Sequence, residues 1–239
     1  MRPAIDYIIV GSGISALSFG ALAAKAGYRV RVLEAHDTPG GYGHTFAVGH
    51  AGRRFKFNAQ LHYVWNCGEG RVVHRLLSKL GLAERVRFNR YDPDGFDDMR
   101  MPGYAMTIPS DPDRLKERLA ERFPAARRAC AAFVDEVWAT AHELDTMPRH
   151  RTPARMLARL TRLTRVLRYR RATLQQVFDR FGLPKPAQTL LALQWPDFLL
   201  PPEDLSFFAW AMLFVGYCRG AYYPEHHFEH VIDSLVGVI

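Results

Sequence analysis

The first part of the chain alternates between short apolar runs and glycine-containing turns. Tyr7–Val10 is a mostly β-branched run that ends at Gly11, residues 14–27 form an Ala- and Leu-rich stretch closed by a glycine, and residues 30–34 are a second strand-like run. Strand, glycine turn, helix and strand within about 30 residues predict a βαβ unit, whose helical crossover makes the two strands parallel.

Strand-like patterns are sparse beyond this unit, and residues 92–95 indicate a turn. Helices are predicted over 71–82, 112–145, 153–181, 186–195 and 203–218. A doubly wound sheet needs more than two parallel strands. The pattern therefore predicts an α/β fold: a Rossmann-like dinucleotide-binding βαβ unit with an incomplete sheet, then a mostly helical domain that faces substrate or membrane. The predicted segments are 1–90 for the nucleotide-binding part, 91–224 for the helical domain and 225–239 for a helix returning toward the first part.

Composition narrows the class of protein. With 48% hydrophobic residues the chain can bury a sizeable core. Its three cysteines, Cys67, Cys130 and Cys218, lie far apart, which favours reduced thiols in a cytoplasmic protein over a disulfide framework. The longest apolar run, 207–218, is shorter than the roughly 20 residues that span a bilayer, so no transmembrane helix is predicted.

The net charge of +8 is concentrated in one stretch. No acidic residue occurs between Asp145 and Asp179, whereas nine arginines fall within 149–171. Apolar residues recur there at helical spacing: Met156, Leu160, Leu163 and Leu167. Such a helix can lie on an anionic membrane surface, which would make the protein peripheral, or pack on the substrate domain with a solvated arginine face. Basic patches also bind phosphate backbones generally, but we expect no nucleic-acid partner.

The first glycine turn has the form G-x-G-x-x-A, a dinucleotide fingerprint in its expected place between strand and helix. Gly11 permits the tight turn, Gly13 lets the backbone approach a pyrophosphate, and Ala16 keeps helix and strand close. Glu34, at the end of the second strand, can accept ribose hydroxyls. The predicted cofactor contacts in this region are Gly11, Ser12, Gly13, Ser15, Ala16, Glu34 and Ala35.

A second glycine motif follows directly, running from Pro39 to Thr45. Paired glycines just beyond the ribose-binding carboxylate can let backbone approach the rest of an extended dinucleotide, which favours FAD over NAD. The predicted contacts here are Gly40, Gly41, Tyr42, His44 and Thr45. The alternative is an ordinary glycine-rich loop.

These runs, together with residues 57–63, 76–82 and 220–224, resemble the start of the phytoene desaturases, carotenoid isomerases and retinol saturases. The resemblance covers most of this chain but about the N-terminal half of such an enzyme, and it implies FAD bound at both glycine motifs. Two departures stand out. The arginines that often flank the paired glycines are replaced by Thr38 and Tyr42, and His226-His227 stand where the family usually has two glycines, which would block close backbone approach.

Three further features bear on chemistry. His62 and Tyr63 correspond to a segment that lies near the flavin in the family, so a role in orienting substrate or moving a proton is one interpretation, and a core position is the other. The cluster of His226, His227 and His230 is interpreted as solvated or capping rather than as a metal site, so no metal is expected. Residues 207–215 either line an apolar substrate pocket or form a plain core helix.

Two functions follow. The first is the N-terminal half, or one subunit, of an FAD-dependent desaturase, saturase or isomerase that acts on a lipophilic polyene, completed by a C-terminal-half partner or a second copy. The other is a non-catalytic module that holds flavin or lipid and assembles with a partner subunit.

Overall fold

The computed structural model describes residues 4–147 and 163–239. Its elements are β1 (Tyr7–Val10), α1 (Ile14–Lys25), β2 (Val30–Leu33), β3 (Thr45–His50), β4 (Arg53–Asn58), α2 (Val72–Leu80), β5 (Phe88–Arg90), β6 (Asp97–Met101), β7 (Tyr104–Ile108), α3 (Pro112–Arg122), α4 (Arg127–Asp145), α5 (Thr164–Tyr169), α6 (Leu174–Phe181), α7 (Lys185–Ala192), α8 (Phe207–Cys218), β8 (Tyr222–Pro224) and α9 (His227–Val236). The chain divides into two compact units: residues up to Tyr91 together with Gly220–Ile239 form the first, and Asp92–Arg219 form the second.

The predicted βαβ unit is confirmed. Strands β1 and β2 pair in parallel, from Tyr7 opposite Val30 to Val10 opposite Leu33. Helix α1 stops two residues before Gly27, which has φ +91°, a value that glycine adopts without steric cost. No third strand joins this sheet in the part of the chain that the structure describes, so the sheet is incomplete, as the sequence predicts.

The core of the first unit forms where α1 packs against α2 and α9. Its buried side chains are Leu17, Ala21, Leu77, Leu80, Leu82, Val86, Phe228, Val231, Ile232 and Leu235. Gly20 lies where α1 meets the sheet: a Cβ there would stand 3.2 Å from Ile9 Cδ1 and 2.9 Å from Ile239 Cδ1. The absence of a side chain at Gly20 therefore lets the helix lie close to β1, which fixes the position of the fingerprint turn between them.

The expectation of few further strands is wrong. Six more strands form three antiparallel pairs: β3 with β4, β5 with β8, and β6 with β7. Two of the pairs are hairpins, in which two neighbouring strands are joined by a short turn. The alternation of apolar and polar residues that predicts such strands is weak here, because arginine and lysine residues interrupt it. The third pair joins residues 88–90 to 222–224, far apart in sequence. The predicted turn at 92–95 is confirmed, because the Gly95 N–H donates to the Asp92 carbonyl at 3.1 Å.

The second unit is mostly helical, as predicted, and is built around α8. Trp210 is fully buried and stacks on Phe214 with ring centroids 4.7 Å apart, while Phe133 and Phe178 lie 5.9 and 6.2 Å from the Trp210 ring. Of the two interpretations of residues 207–215, the core helix is therefore the one observed. Pro124 separates α3 from α4 within the predicted 112–145 helical region.

The predicted helix over 153–181 is not continuous. Its first residues, including Met156 and Leu160, lie outside the described residues, and the rest is split into α5 and α6. The break occurs because Thr173 begins a new helix with a capping box: its hydroxyl accepts from the Gln176 N–H, and the Gln176 side chain accepts from the Thr173 N–H.

The described end of the arginine stretch faces acidic residues of α4. Arg165 pairs with Glu136 at 2.9 Å and with Glu143 at 3.0 Å, and both carboxylates belong to largely buried side chains. Arg168 lies 3.8 Å from Glu136. In the described part of 149–171, these two arginines are thus engaged within the second unit, as in the packed-helix interpretation.

Candidate dinucleotide-binding site

The fingerprint turn leaves β1 at Val10 and enters α1 at Ile14. Gly11 has φ +90°, a left-handed conformation that glycine adopts at no steric cost, and its N–H donates to the Leu33 carbonyl at 2.7 Å. This bond ties the turn to the end of β2. The conformation of Gly11 therefore explains one glycine of the fingerprint from the backbone alone.

Gly13 needs a different explanation. Its φ of −61° and ψ of 164° are open to any residue, and a Cβ built on it meets no atom within 4 Å. The protein's own packing thus makes no demand for glycine at this position. A pyrophosphate binds where the backbone at the start of a helix is not covered by a side chain. The open space at Gly13 therefore fits a bound dinucleotide.

The beginning of α1 is suited to an anion. Gly13 is its N-cap and supplies no capping side chain, and the first turn carries no acidic residue. The N–H groups there and the partial positive charge of the helix end favour a phosphate. Ser15 is exposed and Ala16 half-buried at this helix start.

Glu34 is held by the fingerprint turn itself. One carboxylate oxygen accepts from the Ser12 N–H at 2.7 Å and from the Ser12 hydroxyl, and the other accepts from the His36 N–H at 2.9 Å. These bonds, with the Ser12 hydroxyl as the largest cause, lower the pKa of Glu34 to about 2. The side chain is thus an anion at neutral pH, exposed at the end of β2, with the oxygen that faces His36 holding spare acceptor capacity.

The second glycine loop docks on the first. The Gly40 N–H donates to the Ser12 carbonyl at 3.0 Å and lies 3.1 Å from the Ser12 hydroxyl oxygen. A Cβ on Gly41 would stand 3.1 Å from the Cα of Gly13, so the backbones of the two loops touch. Both Gly40 and Gly41 have positive φ, 116° and 55°. Paired glycines are therefore required here by the approach of two loops, which is more than an ordinary glycine-rich loop needs.

Ser12 is the residue whose importance the sequence does not reveal. It was predicted only as one cofactor contact among several, yet it is 2% exposed and joins Glu34 to Gly40. Its N–H, carbonyl and hydroxyl are all hydrogen-bonded within the protein, so Ser12 acts by holding Glu34 and the second glycine loop in place. The only sequence signal is a small hydroxyl residue between two glycines.

The remaining predicted contacts are Ala35, which follows β2, and Tyr42, His44 and Thr45, which lie in or just after the second glycine loop. Tyr42 is 77% exposed beside Gly41, and His44 holds its loop by a 2.7 Å hydrogen bond between Nδ1 and the Gly41 carbonyl. Ala35 is exposed after β2. Thr45 begins β3, where its hydroxyl lies 3.0 Å from His227 Nδ1. The structure thus brings both glycine motifs, Glu34 and the start of α9 together in the first unit.

His227 occupies a position that suits glycine. Its φ is +71°, in the left-handed region that L-residues with a Cβ rarely adopt, which accords with glycine at this point in the resembling family. Burial lowers the pKa of His227. The His226 and His230 rings lie 5.5 Å apart, and the described residues contain no group of three His, Cys, Asp or Glu side chains poised to hold a metal ion.

His62 and Tyr63 follow Leu61, whose side chain approaches Gly43. His62 is exposed, so the interpretation as a core histidine is wrong. Tyr63 is half-buried, with its ring 5.8 Å from that of Tyr91. Among the described residues, His62 has no hydrogen-bonded base beside it that would mark a proton-transfer pair.

None of the helices within residues 4–147 and 163–239 is long and apolar enough to cross a membrane.

Comparison with known proteins agrees with this geometry. Residues 9–80 match the NAD(P)-binding Rossmann-like domain family. All-trans-retinol 13,14-reductases from Rattus norvegicus and Homo sapiens are 29% and 27% identical to the chain; each alignment covers 98% of this chain and 39% of the relative. The chain therefore spans about two-fifths of the length of these relatives.

Solved structures show the same fold at low identity. A putrescine oxidase with a redesigned cofactor-binding site matches with a TM-score of 0.56 and 17% identity, covering 98% of this chain and 49% of that one. A Rab GDI from Plasmodium falciparum matches with a TM-score of 0.56 and 11% identity, covering 98% and 55%. With its double glycine motif, its Rossmann-like domain and its alignment to retinol 13,14-reductases over nearly all its residues, the chain is similar to part of the retinol saturase-like oxidoreductases.

Proposed function

We propose that this chain is the FAD-binding N-terminal part of an oxidoreductase that acts on a lipophilic polyene of the retinoid or carotenoid type. The observation that carries the proposal is the contact between the two glycine loops, with Gly41 against Gly13 and open space in front of Gly13. Because the second glycine loop packs on the fingerprint turn, exposed glycine backbone continues past the site of the first nucleotide. This longer binding surface suits FAD better than NAD. The name of the relatives, all-trans-retinol 13,14-reductase, supports a polyene substrate and a reduction.

The residues divide the work of holding the cofactor. Gly11, Gly13 and the start of α1 would hold the pyrophosphate, and Glu34 would accept from ribose through its free acceptor capacity. Gly40 and Gly41 would let backbone approach the part of the dinucleotide that leads to the flavin. When bound, FAD supplies hydride transfer; saturation adds a hydride and a proton across a carbon–carbon double bond, desaturation reverses this, and isomerisation leaves no net redox change.

The sheet offers a surface for the rest of such an enzyme. On the face opposite α1, Ile8 is 63% exposed, Val10 84% and Leu33 49%. Exposed apolar strands associate readily. We propose that further strands cover this face, from a C-terminal-half partner subunit or a second copy. Binding of such a partner would stabilise the folded state by mass action, so it should raise both flavin occupancy and the melting temperature.

The second candidate is a non-catalytic flavin- or lipid-binding module that assembles with a partner. Two observations support it: His226-His227 stand in place of two glycines, and no base lies beside His62 in the part of the chain that the structure describes. The two candidates separate in one comparison: the enzyme reduces or oxidises a polyene once its partner is present, whereas the module binds flavin and shows no turnover with any partner.

The cofactor proposal is tested with matched glycine variants of the 239-residue chain. Gly13→Val should abolish FAD binding, because a branched Cβ would fill the space the pyrophosphate needs. Gly49→Val is the control, since Gly49 lies in β3 and a Cβ there meets only one atom, at 4.0 Å. Glu34→Gln should weaken binding and keep the fold. Undiminished flavin binding by folded Gly13→Val protein would refute the proposed site.

A further inference from the structure

The β3–β4 hairpin has two faces of opposite character. Paired residues of an antiparallel ladder share a face, and the register pairs Phe46 with Phe57 and Val48 with Phe55. These four residues form the apolar face of the hairpin. They are 44–48% exposed, and the Phe46 and Phe57 rings stack with centroids 5.7 Å apart. The second face carries Thr45, Ala47, Gly49, Arg54, Lys56 and Asn58.

The second face is anchored to the C-terminal segment of the same unit. Thr45 contacts His227, Lys56 pairs with Glu229, and Asn58 Oδ1 accepts from the Tyr223 hydroxyl at 2.8 Å. All three anchoring residues belong to the second face. The hairpin is therefore held by that side, and the apolar face points away from its anchor.

The charge around the apolar face is entirely positive. The sequence contains no acidic residue between Asp37 and Glu69, and the hairpin turn is flanked by His50, Arg53 and Arg54. His50 and Arg53 form the next pair on the apolar face, about 7 Å beyond Val48 and Phe55 at two residues' strand rise. Among the described residues, Arg53 makes no ion pair or side-chain hydrogen bond, whereas Arg54 belongs to the second face, on the side of Glu229.

The size of the face argues against a protein partner. Three phenylalanines and a valine, each about half exposed, present roughly 350 Å², given about 200 Å² for a whole aromatic side chain. A stable protein interface buries about 800 Å² on each partner. Phenylalanines beside cations instead suit the boundary between phospholipid headgroups and acyl chains, where rings insert and cations meet phosphates.

We propose that the β3–β4 hairpin docks the protein on an anionic lipid surface, with Phe46, Val48, Phe55 and Phe57 inserted and Arg53 and His50 at the headgroups. The proposal is independent of the flavin site and of residues 149–171. It would bring the second glycine loop, which leads directly into β3, next to the phase that holds a lipophilic substrate.

The test compares variants of the full 239-residue chain by sedimentation with phosphatidylcholine vesicles, without and with about 30% phosphatidylserine. Phe55→Thr/Phe57→Thr keeps strand propensity and should lower partitioning onto the anionic vesicles at least about tenfold. Arg53→Ala should lower it about fivefold and leave the weaker binding to neutral vesicles unchanged.

Matched controls separate the hairpin from general effects. Val72→Thr removes an apolar side chain that is 57% exposed on α2, and Arg127→Ala removes an exposed arginine of α4. Both should bind like the unsubstituted protein. If the phenylalanine variant does not fold, the Arg53 variant tests the proposal alone.

Three results would overturn the proposal. The first is no binding of the unsubstituted chain to anionic vesicles, and the second is equal binding by the hairpin variants and their controls. The third is a change of oligomeric state in the phenylalanine variant with vesicle binding intact, which would assign the face to a second copy of the chain.

Discussion

Gly41→Ala tests whether the contact between the two glycine loops builds the cofactor site. Gly41 has φ +55°, so alanine there costs about 1 kcal/mol of backbone strain. The new Cβ would also stand 3.1 Å from the Gly13 Cα, a backbone atom that cannot rotate away. Separating the loops by a few tenths of an ångström adds about 1 kcal/mol. The free energy of unfolding should therefore fall by about 2 kcal/mol.

The substitution should also weaken binding of the cofactor. Displacement of Gly13 moves the backbone that meets the pyrophosphate, and each 1.4 kcal/mol of lost binding energy raises the dissociation constant about tenfold. We expect the Kd for FAD, measured by quenching of flavin fluorescence, to rise at least about tenfold.

Gly52→Ala is the matched control. Gly52 has φ +75° in the β3–β4 turn, and a Cβ there meets no atom within 4 Å. It should cost about 1 kcal/mol of stability through the backbone alone and leave the Kd for FAD unchanged. Equal FAD affinity in the Gly41 and Gly52 variants would show that the loop contact plays no part in binding.

Three other predictions concern electrostatics and burial. Arg165→Met should lower the free energy of unfolding by about 2 kcal/mol, because it removes the arginine that bridges two largely buried carboxylates and leaves Glu143 without an ion pair among the described residues. Chemical denaturation, with Arg127→Met as control, measures the change, and equal effects of the two variants would contradict this pairing. Glu34 has a folded-state pKa of about 2, below its ordinary value of 4.5, so its contribution to stability is present above pH 4.5 and is lost as pH falls toward 2. Ser12→Ala should flatten this part of the pH dependence of the denaturation midpoint, and an unchanged slope would show that the Ser12 hydroxyl does not hold the carboxylate. Cys218 is 1% exposed and burial raises its thiol pKa, so it should resist alkylation at pH 8 until the chain unfolds, as peptide mapping would show; rapid labelling in the native protein would refute its burial.

Local patterns predicted the parts of the fold that local physics determines. The βαβ unit, the turn at 92–95 and the apolar helix α8 follow from residues adjacent in sequence. The hairpins and the β5–β8 pair did not, because their strands are short and one pairing joins distant segments. The split at Thr173 was missed although a capping residue followed three positions later by glutamine is a helix-start signal.

The candidate site shows the same limit. The glycines and Glu34 were identifiable because each has a known structural role at its position in the strand, turn, helix and strand of the fingerprint. The role of Ser12 depends on three backbone segments meeting in space, and no spacing rule encodes that. The positive φ of His227 is indicated only by the resemblance, which places glycine at this position, because histidine itself does not predict a left-handed backbone.

The most direct test of the central claim is the cofactor preference of the purified 239-residue chain. The folded chain is titrated with FAD and, separately, with NAD⁺ and NADP⁺, while binding is followed by flavin fluorescence and by calorimetry. The docked second glycine loop predicts saturable FAD binding at one site per chain, lost in Gly13→Val and retained in Gly49→Val, with no competition from either nicotinamide dinucleotide. Binding of NAD⁺ or NADP⁺ in preference to FAD, or failure of the folded chain to bind FAD, would contradict it.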